Sequence, residues 1–313
     1  MEKKDFINAL SHDWKGEDLE SLYNSSLIDK SISVDEWKQT FVGAFCIKKK
    51  SHTHILKYLA ESLGKDVPEW SDLTKSNMVQ FRDYLLSHVS PNSAKQYLSV
   101  MKGVFSVYNE DNVLPAKDYR YVTQVKATPS EHIALTKEEL ELIDRYQPHS
   151  KVEEDVKRAF MIEALCGARH SDVMLLTESN IDTTGKWLTY VSQKTKTKTT
   201  VPVHRNLLKY LQQKPHKEHS RGVFNETIQR IALKCGITQE TELYTKGQHM
   251  KAPRYEFIGS HTARRSFATQ LAVVGVPVAI ISKFMGHASV DQTSRYIYVE
   301  QTQIGTAAEA FFN

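Results

Sequence analysis

Along the first 125 residues, apolar positions recur every three or four residues. There is very little of the two-residue alternation that marks strands, so this stretch reads as helical almost throughout. The clearest segment is SPNSAKQYLSVMKGVFSVYNED, which Asn92 or Ser93 can cap and in which Tyr97, Met101, Val104 and Tyr108 repeat at helical spacing. Lys95, Ser99 and Lys102 repeat in the same way on a different face, which reads either as a phosphate-gripping surface or as an ordinary solvated one. After Tyr108 the period decays through YRYVTQVKATPSEH. A proline and small polar residues there place an interdomain linker near residues 122–132, with its core at 126–132.

A new helix starts at LTKEELELIDRY, where Thr136 and Glu139 form a T-x-x-E capping box ahead of Leu140 and Ile143. The remainder is mainly helical, with one exception. WLTYVSQKTKTKTTVPV carries β-branched and aromatic residues on both sides of a polar turn, follows a turn signal at Thr184-Gly185, and leads into a helix from about Asn206. This predicts a hairpin. The expected organisation is a helical domain over residues 1–125, with 1–30 as a candidate separate extension, then a linker, then an α+β domain over 133–313 with a small antiparallel sheet.

Composition changes this picture little. A chain of 313 residues, 40% hydrophobic and 25% charged, is long enough for two cored domains. A net charge of +4 is compatible with nucleic acid but is shared by many enzymes. Cys46, Cys166 and Cys235 lie far apart without a CxxC, which argues against a disulfide framework or a zinc site and fits a reducing cytoplasm. The N-terminus MEKKDFINAL has no apolar run of signal length, and no stretch is long enough to span a bilayer, so a soluble intracellular protein is expected.

Four separated stretches could carry chemistry. In EALCGARHSDVMLL a helix runs into Gly167, a suitable C-terminal cap. Arg169 then sits in a junction, as a surface arginine or as one pointing into a cleft, and Asp172 falls near the start of the next helix. In the hairpin, Lys194, Lys196 and Lys198 alternate with threonines and in a strand would line one face, either to enter a DNA groove or to protect an exposed edge. In SHTARRSFATQLAVVGVPVAIISKFMGHASV a helix begins near Thr262, buries Phe267, Leu271 and Val274, and stops at Gly275. Pro277 starts a second helix that ends at Gly286. His261 and Arg264 then share one helix N-terminus, where anions are favoured, and His287 lies just past the end of the next helix. Finally, TSRYIYVE holds Tyr296 and Tyr298. In a helix they point about 200° apart, so that only one faces a cleft, whereas in a strand they share a face.

Taken together, Gly167-Ala168-Arg169, Lys194, His261-Thr262-Ala263-Arg264, Gly286-His287 and Tyr296, nine residues beyond His287, resemble the tyrosine recombinase (phage integrase) family in identity, order and spacing. The resemblance covers roughly residues 130–300, and SHTARRSFAT is similar to integrases of mobile elements. Residues 30–120 match only in character. Arg265 stands where many members have a second histidine, and Asp172 where glutamate is common. The fold so implied is mainly α. It comprises a helical, SAM-like core-binding domain and a catalytic domain with the DNA breaking-rejoining fold.

The chemistry implied is transesterification at a DNA phosphodiester through a 3′-phosphotyrosine, without metal, ATP or other cofactor. Arg169 and Arg264 would bind the charge that builds on the non-bridging oxygens. A free phenol has a pKa of about 10, so Tyr296 needs a proton acceptor, for which His261 is expected. Lys194, eight positions before Pro202, would protonate the leaving oxygen, with Lys196 and Lys198 as competitors. His287 would hydrogen-bond a phosphate oxygen, and Asp172 would orient its neighbours. Lys95, Ser99, Lys102, Lys196, Lys198 and Arg265 are the expected DNA contacts. Helical geometry would turn Tyr298 away from the cleft into a packing role.

The partners implied are duplex DNA carrying specific sites, further copies of the chain in a tetramer, and accessory proteins, with no membrane. Action on the nucleoid in the cytoplasm is expected. The tail TAAEAFFN could mediate assembly through Phe311 and Phe312, or fold back on its own domain. Two rivals share the scaffold: a type IB topoisomerase, which would relax supercoiled DNA without sequence preference, and a non-catalytic DNA-binding protein. The intact set of catalytic groups speaks against the second.

Overall fold

The computed structural model describes residues 1–11, 16–108, 119–122, 124–213, 217–245 and 247–298. The chain divides into two compact units. The first comprises Met1–Ser130 with Gly247 and Gln248, and the second comprises Glu131–Thr245 with His249 onward.

The first unit is built of helices α1 (Lys3–Leu10), α2 (Gly16–Tyr23), α3 (Val34–Gln39), α4 (Phe41–Lys48), α5 (His54–Leu63), α6 (Lys75–His88), α7 (Pro91–Tyr108) and α8 (Tyr119–Val122). Their starts carry local signals. Ser33 and Glu36 form a capping box on α3, and Thr40 and Thr74 cap α4 and α6 through Gly43 and Asn77. At α7 the cap is Ser90, whose Oγ accepts the Ser93 amide at 3.2 Å. Asn92, expected in that role, instead clasps the Thr128 backbone with both ends of its amide, at 2.9 and 3.1 Å. Pro91 occupies the first helical position, where its missing N–H costs nothing.

Ala94, Leu98, Met101, Val104 and Phe105 form the buried face of α7. They join a core whose fully buried aromatics include Phe6, Trp37, Phe41, Phe45 and Phe81. Phe6 meets Trp37 edge-on at 5.0 Å, so the stretch 1–30 shares its core with the rest of the unit.

In the second unit, α9 (Lys137–Arg145) begins with the capping box of Thr136 and Glu139, as its sequence predicts. Helix α10 (Lys151–Cys166) is buried on nearly all sides, the mark of a central helix. It packs against α9, α11 (His170–Val173), α12 (Leu207–Leu211), α13 (Arg221–Lys234) and α14 (Ser260–Val273). Its buried cations are partnered: Lys157 donates to the Asp144 and Tyr146 carbonyls at 2.8 and 2.6 Å, and Arg158 to the Tyr210 carbonyl at 2.9 Å. Two short helices follow, α15 (Val278–Phe284) and α16 (Val290–Ser294).

The predicted hairpin is present as β1 (Trp187–Val191) and β2 (Lys198–Pro202), antiparallel from Trp187 opposite Pro202 to Val191 opposite Lys198. Leu188, Tyr190, Thr199 and Val201 point inward at period two. A second hairpin, β3 (Glu240–Thr245) with β4 (Gln248–Pro253), departs from the expectation of a single sheet. None of its residues is fully buried, so its sequence carries no apolar alternation to read. It is anchored just beyond β4, where buried Arg254 pairs with Glu139 at 2.7 Å.

Gly167 ends α10 with φ of 67°, and a methyl group at this position would overlap the Phe267 ring. Gly167→Ala therefore combines a left-handed backbone with overpacking. It should cost about 2–4 kcal/mol, read as a lower urea midpoint with an unchanged denaturant slope.

Candidate active site

Met285 caps the C-terminus of α15, and Gly286 after it takes the left-handed conformation at φ 59°. This exposes two successive carbonyls, and a guanidinium seats on each. Arg169, at the N-cap of α11, donates from Nη2 to the Gly286 carbonyl at 3.2 Å and from Nη1 to Ser192 Oγ at 3.0 Å. Arg264, on α14 and 1% exposed, donates from Nη2 to the Met285 carbonyl at 2.6 Å and from Nη1 to the Gly167 carbonyl. Cations at a helix C-terminus are favoured by its orphaned carbonyls. Burial and then the Arg169 charge lower the pKa of Arg264 from its ordinary value.

Asp172, 2% exposed, accepts from Ser192 Oγ and from the Gln193 amide, both at 2.8 Å. It thereby ties α11 to the loop between β1 and β2. Ser192 also closes that loop, through its amide to the Thr197 carbonyl at 3.0 Å and its carbonyl to the Lys196 amide at 2.8 Å. The sequence gives no sign of Ser192, because its partners lie 20 and 23 positions away. Lys194 and Lys196 sit in the loop and not in a strand, and Lys196 has φ of 53°. The expectation that three lysines line one strand face is thus corrected. All three are exposed, and Lys194 makes no hydrogen bond or ion pair among the described residues.

His287 receives the Arg264 Nη2 donor on Nε2 at 2.9 Å, and its Nδ1 faces Thr293 Oγ1 at 2.9 Å. A guanidinium only donates, so the proton of the neutral ring must be on Nδ1. Burial, then the Arg264 and Arg169 charges, lower the His287 pKa to about 4. The ring of Tyr296 lies 5.0 Å from the His287 ring, with Arg264 Cζ at 5.8 Å and Arg265 Cζ at 6.0 Å from its centroid. His261 is exposed at the start of α14 and touches none of these groups directly. Crowding by protein, then Arg265, Arg221 and Arg264, hold its pKa at about 4, so at neutral pH it is an uncharged base.

Several expectations change here. Residues 297 and 298 are not helical, and Tyr298 does not turn away: Arg265 lies over both phenols, 5.9 Å from the Tyr298 centroid. Arg265, expected to contact DNA, directs its guanidinium onto these rings. Val274 is 74% exposed, beyond the buried part of α14. Lys95 and Ser99 are exposed and Lys102 half-buried on α7 of the first unit. Among the described residues no helix is long and apolar enough to cross a membrane.

Comparison with known proteins shows the family and the fold. The Phage integrase family matches residues 133–303, more than half of the chain. A probable integrase/recombinase protein of Methanocaldococcus jannaschii is 26% identical over 268 residues, 79% of this chain and 78% of that protein. Among solved structures, XerH recombinase in a post-cleavage complex with palindromic difH substrate matches with a TM-score of 0.59 at 14% identity, covering 99% of this chain and 95% of that one. A lambda integrase dimer on a COC′ core site matches with a TM-score of 0.59 at 16% identity, covering 84% of this chain and 93% of that one. These two likenesses are of fold. The chain belongs to the phage integrase family. It is a tyrosine-type, site-specific DNA recombinase.

Two half-buried histidines make stability depend on pH with a definite sign. His132 and His287 are held at about 4 against an ordinary 6.5, so between these values the unfolded chain binds more protons. Stability is then lost as pH falls through this window. Glu163, raised to about 7 by burial, acts in the opposite sense. Thermal melts between about pH 7 and about pH 4.5 should show a smaller acid-side drop for His287→Gln than for the unaltered chain.

Proposed function

We propose that Tyr296 attacks the scissile phosphodiester, forming a 3′-phosphotyrosine and releasing a 5′-hydroxyl, and that attack by a 5′-hydroxyl later reseals the strand. The observation that carries this reading is the pair of guanidiniums on adjacent carbonyls at the end of α15, with the phenol ring beside one of them. Arg169 and Arg264 bind the non-bridging oxygens in the transition state. Each guanidinium has five N–H donors and has committed two or three of them, so donors remain for phosphate. Their positions are set before substrate arrives, which removes reorganisation from the barrier.

His261, neutral at working pH, accepts the phenol proton. Lys194, on the exposed loop that Asp172 anchors, delivers a proton to the leaving oxygen. For His287 to contact a phosphate oxygen, Nε2 must leave Arg264 and take up a proton. Until then it braces Arg264 and Tyr296. Lys95, Ser99, Lys102, Lys196 and Lys198 are assigned to DNA contact, with the first unit as the core-binding domain.

We assign the assembled form as a tetramer on paired sites. One of the relatives by fold is a lambda integrase tetramer bound to a Holliday junction, with a TM-score of 0.58 at 17% identity, covering 94% of this chain and 84% of that one. The tail TAAEAFFN lies outside the described residues. We assign Phe311 and Phe312 of the tail to assembly with a second copy. Replacing both with Ala should leave site binding intact and shift the DNA-bound species from tetramer towards smaller assemblies in light scattering.

The chemical proposal is tested by trapping covalent adducts on DNA of the organism that carries the gene, sequencing their ends, and building a nicked suicide duplex on the recovered site. A denaturing gel should show an adduct with the unaltered chain and with Tyr298→Phe, but none with Tyr296→Phe. Arg169→Ala and Arg264→Ala should each slow cleavage by about a hundredfold or more while leaving DNA affinity largely intact. The reverse pattern for the two tyrosines would overturn the assignment of the nucleophile. Adducts on arbitrary DNA together with relaxation of plasmid would point to topoisomerase chemistry.

A further inference from the structure

We infer that Arg265 is a positioning residue which, with Thr269 one helical turn later on α14, cradles the segment 296–298 and so aims the nucleophile. The inference rests on the assignment of Tyr296 as that nucleophile.

Contacts of four residues, Arg265, Thr269, His132 and Ile297, converge. The Arg265 guanidinium covers two phenols at once, with its Cζ at 6.0 Å from the Tyr296 centroid and 5.9 Å from that of Tyr298. Thr269 Oγ1 accepts the Tyr298 amide at 3.0 Å and donates to the Tyr296 carbonyl at 3.4 Å, gripping the backbone on both sides of Ile297. Thr269 is 1% exposed, so these bonds are shielded from competing water. On the far side His132 meets the Tyr298 ring edge-on at 5.8 Å. Ile297 packs on the small apolar cluster of Phe267, Ile281 and Met285.

The geometry gives each member a distinct task. Thr269 sets the height of the backbone above α14. Arg265 sets the direction of the Tyr296 ring, because a guanidinium displaced from the phenol face loses the electrostatic attraction of the ring's π-system. Tyr298 is the second wall, since a guanidinium held by two rings has less freedom than one held by a single ring. A lysine in place of Arg265 has the charge without the flat face and cannot serve both phenols alike. Arg265 has edges free to meet solvent, and the competing reading is a DNA phosphate contact.

The two readings separate on the recovered duplex. Single-turnover cleavage and DNA affinity over a range of salt would be measured for Arg265→Ala, Arg265→Lys, Thr269→Val, Thr269→Ser and Tyr298→Ala. Positioning predicts that Arg265→Ala, Arg265→Lys, Thr269→Val and Tyr298→Ala all slow cleavage by about a hundredfold with affinity and salt slope unchanged. Thr269→Ser, which retains the hydroxyl, should recover most of the rate lost in Thr269→Val and guards against a general folding defect. A weaker affinity with a salt slope smaller by about one in Arg265→Ala, restored by Arg265→Lys, would overturn the inference in favour of phosphate contact. Cleavage within about threefold of normal in Arg265→Ala and Thr269→Val would overturn it as well. Failure of the unaltered chain to form an adduct, or an adduct that survives in Tyr296→Phe, would instead remove the assignment on which the inference rests.

Discussion

The site depends on keeping two buried or half-buried guanidiniums on successive carbonyls. Burial, and then the like charge of Arg169, lower the pKa of Arg264, so the fold must supply an offset. It does so at the C-terminal end of α15, where the Met285 and Gly286 carbonyls each take one guanidinium. Asp172 adds a negative charge that reaches Arg169 through the Ser192 hydroxyl. The residual positive field is what a phosphate would relieve. The left-handed Gly286 is central because it turns its carbonyl toward Arg169 while passing close to Thr199, where a Cβ would come within 2.7 Å of Oγ1.

The remaining parts attach to that fixed pair from two sides. From one side comes the β1–β2 loop, tethered at its base by Asp172 and exposed at Lys194. From the other comes the segment after α16, with Tyr296 packed among His287, Arg264 and Arg265. Burial and the arginines around the site keep His261 and His287 uncharged at neutral pH, each at about 4.

Much of this was legible along the chain wherever the controlling interaction is local. The Thr136–Glu139 capping box, the Gly167 cap on α10 and the period-two pattern of β1 and β2 are set by residues within a few positions of one another. The second hairpin was not legible, since both of its faces stay at least partly open and leave no alternation. Nor was the Ser90 cap of α7 anticipated, because Asn92 is an equally good capper by type and is diverted by Thr128, 36 residues away.

By itself, the sequence determined which candidate groups this recombinase has and in what order they come: two arginines, a loop lysine, two histidines and a tyrosine, in the order and spacing of the family it resembles. What only tertiary structure decided is how those groups meet. The seat of Arg169 on Gly286 spans 117 positions, and that of Arg264 on Gly167 spans 97. The proton on His287 Nδ1 follows from a donor 23 residues earlier, and Arg265 turns inward because two phenols more than 30 residues later lie beneath it. Periodicity and capping act over one or two helical turns and can be read locally. Hydrogen bonds and cation–π contacts between distant elements depend on where the packed core delivers their ends.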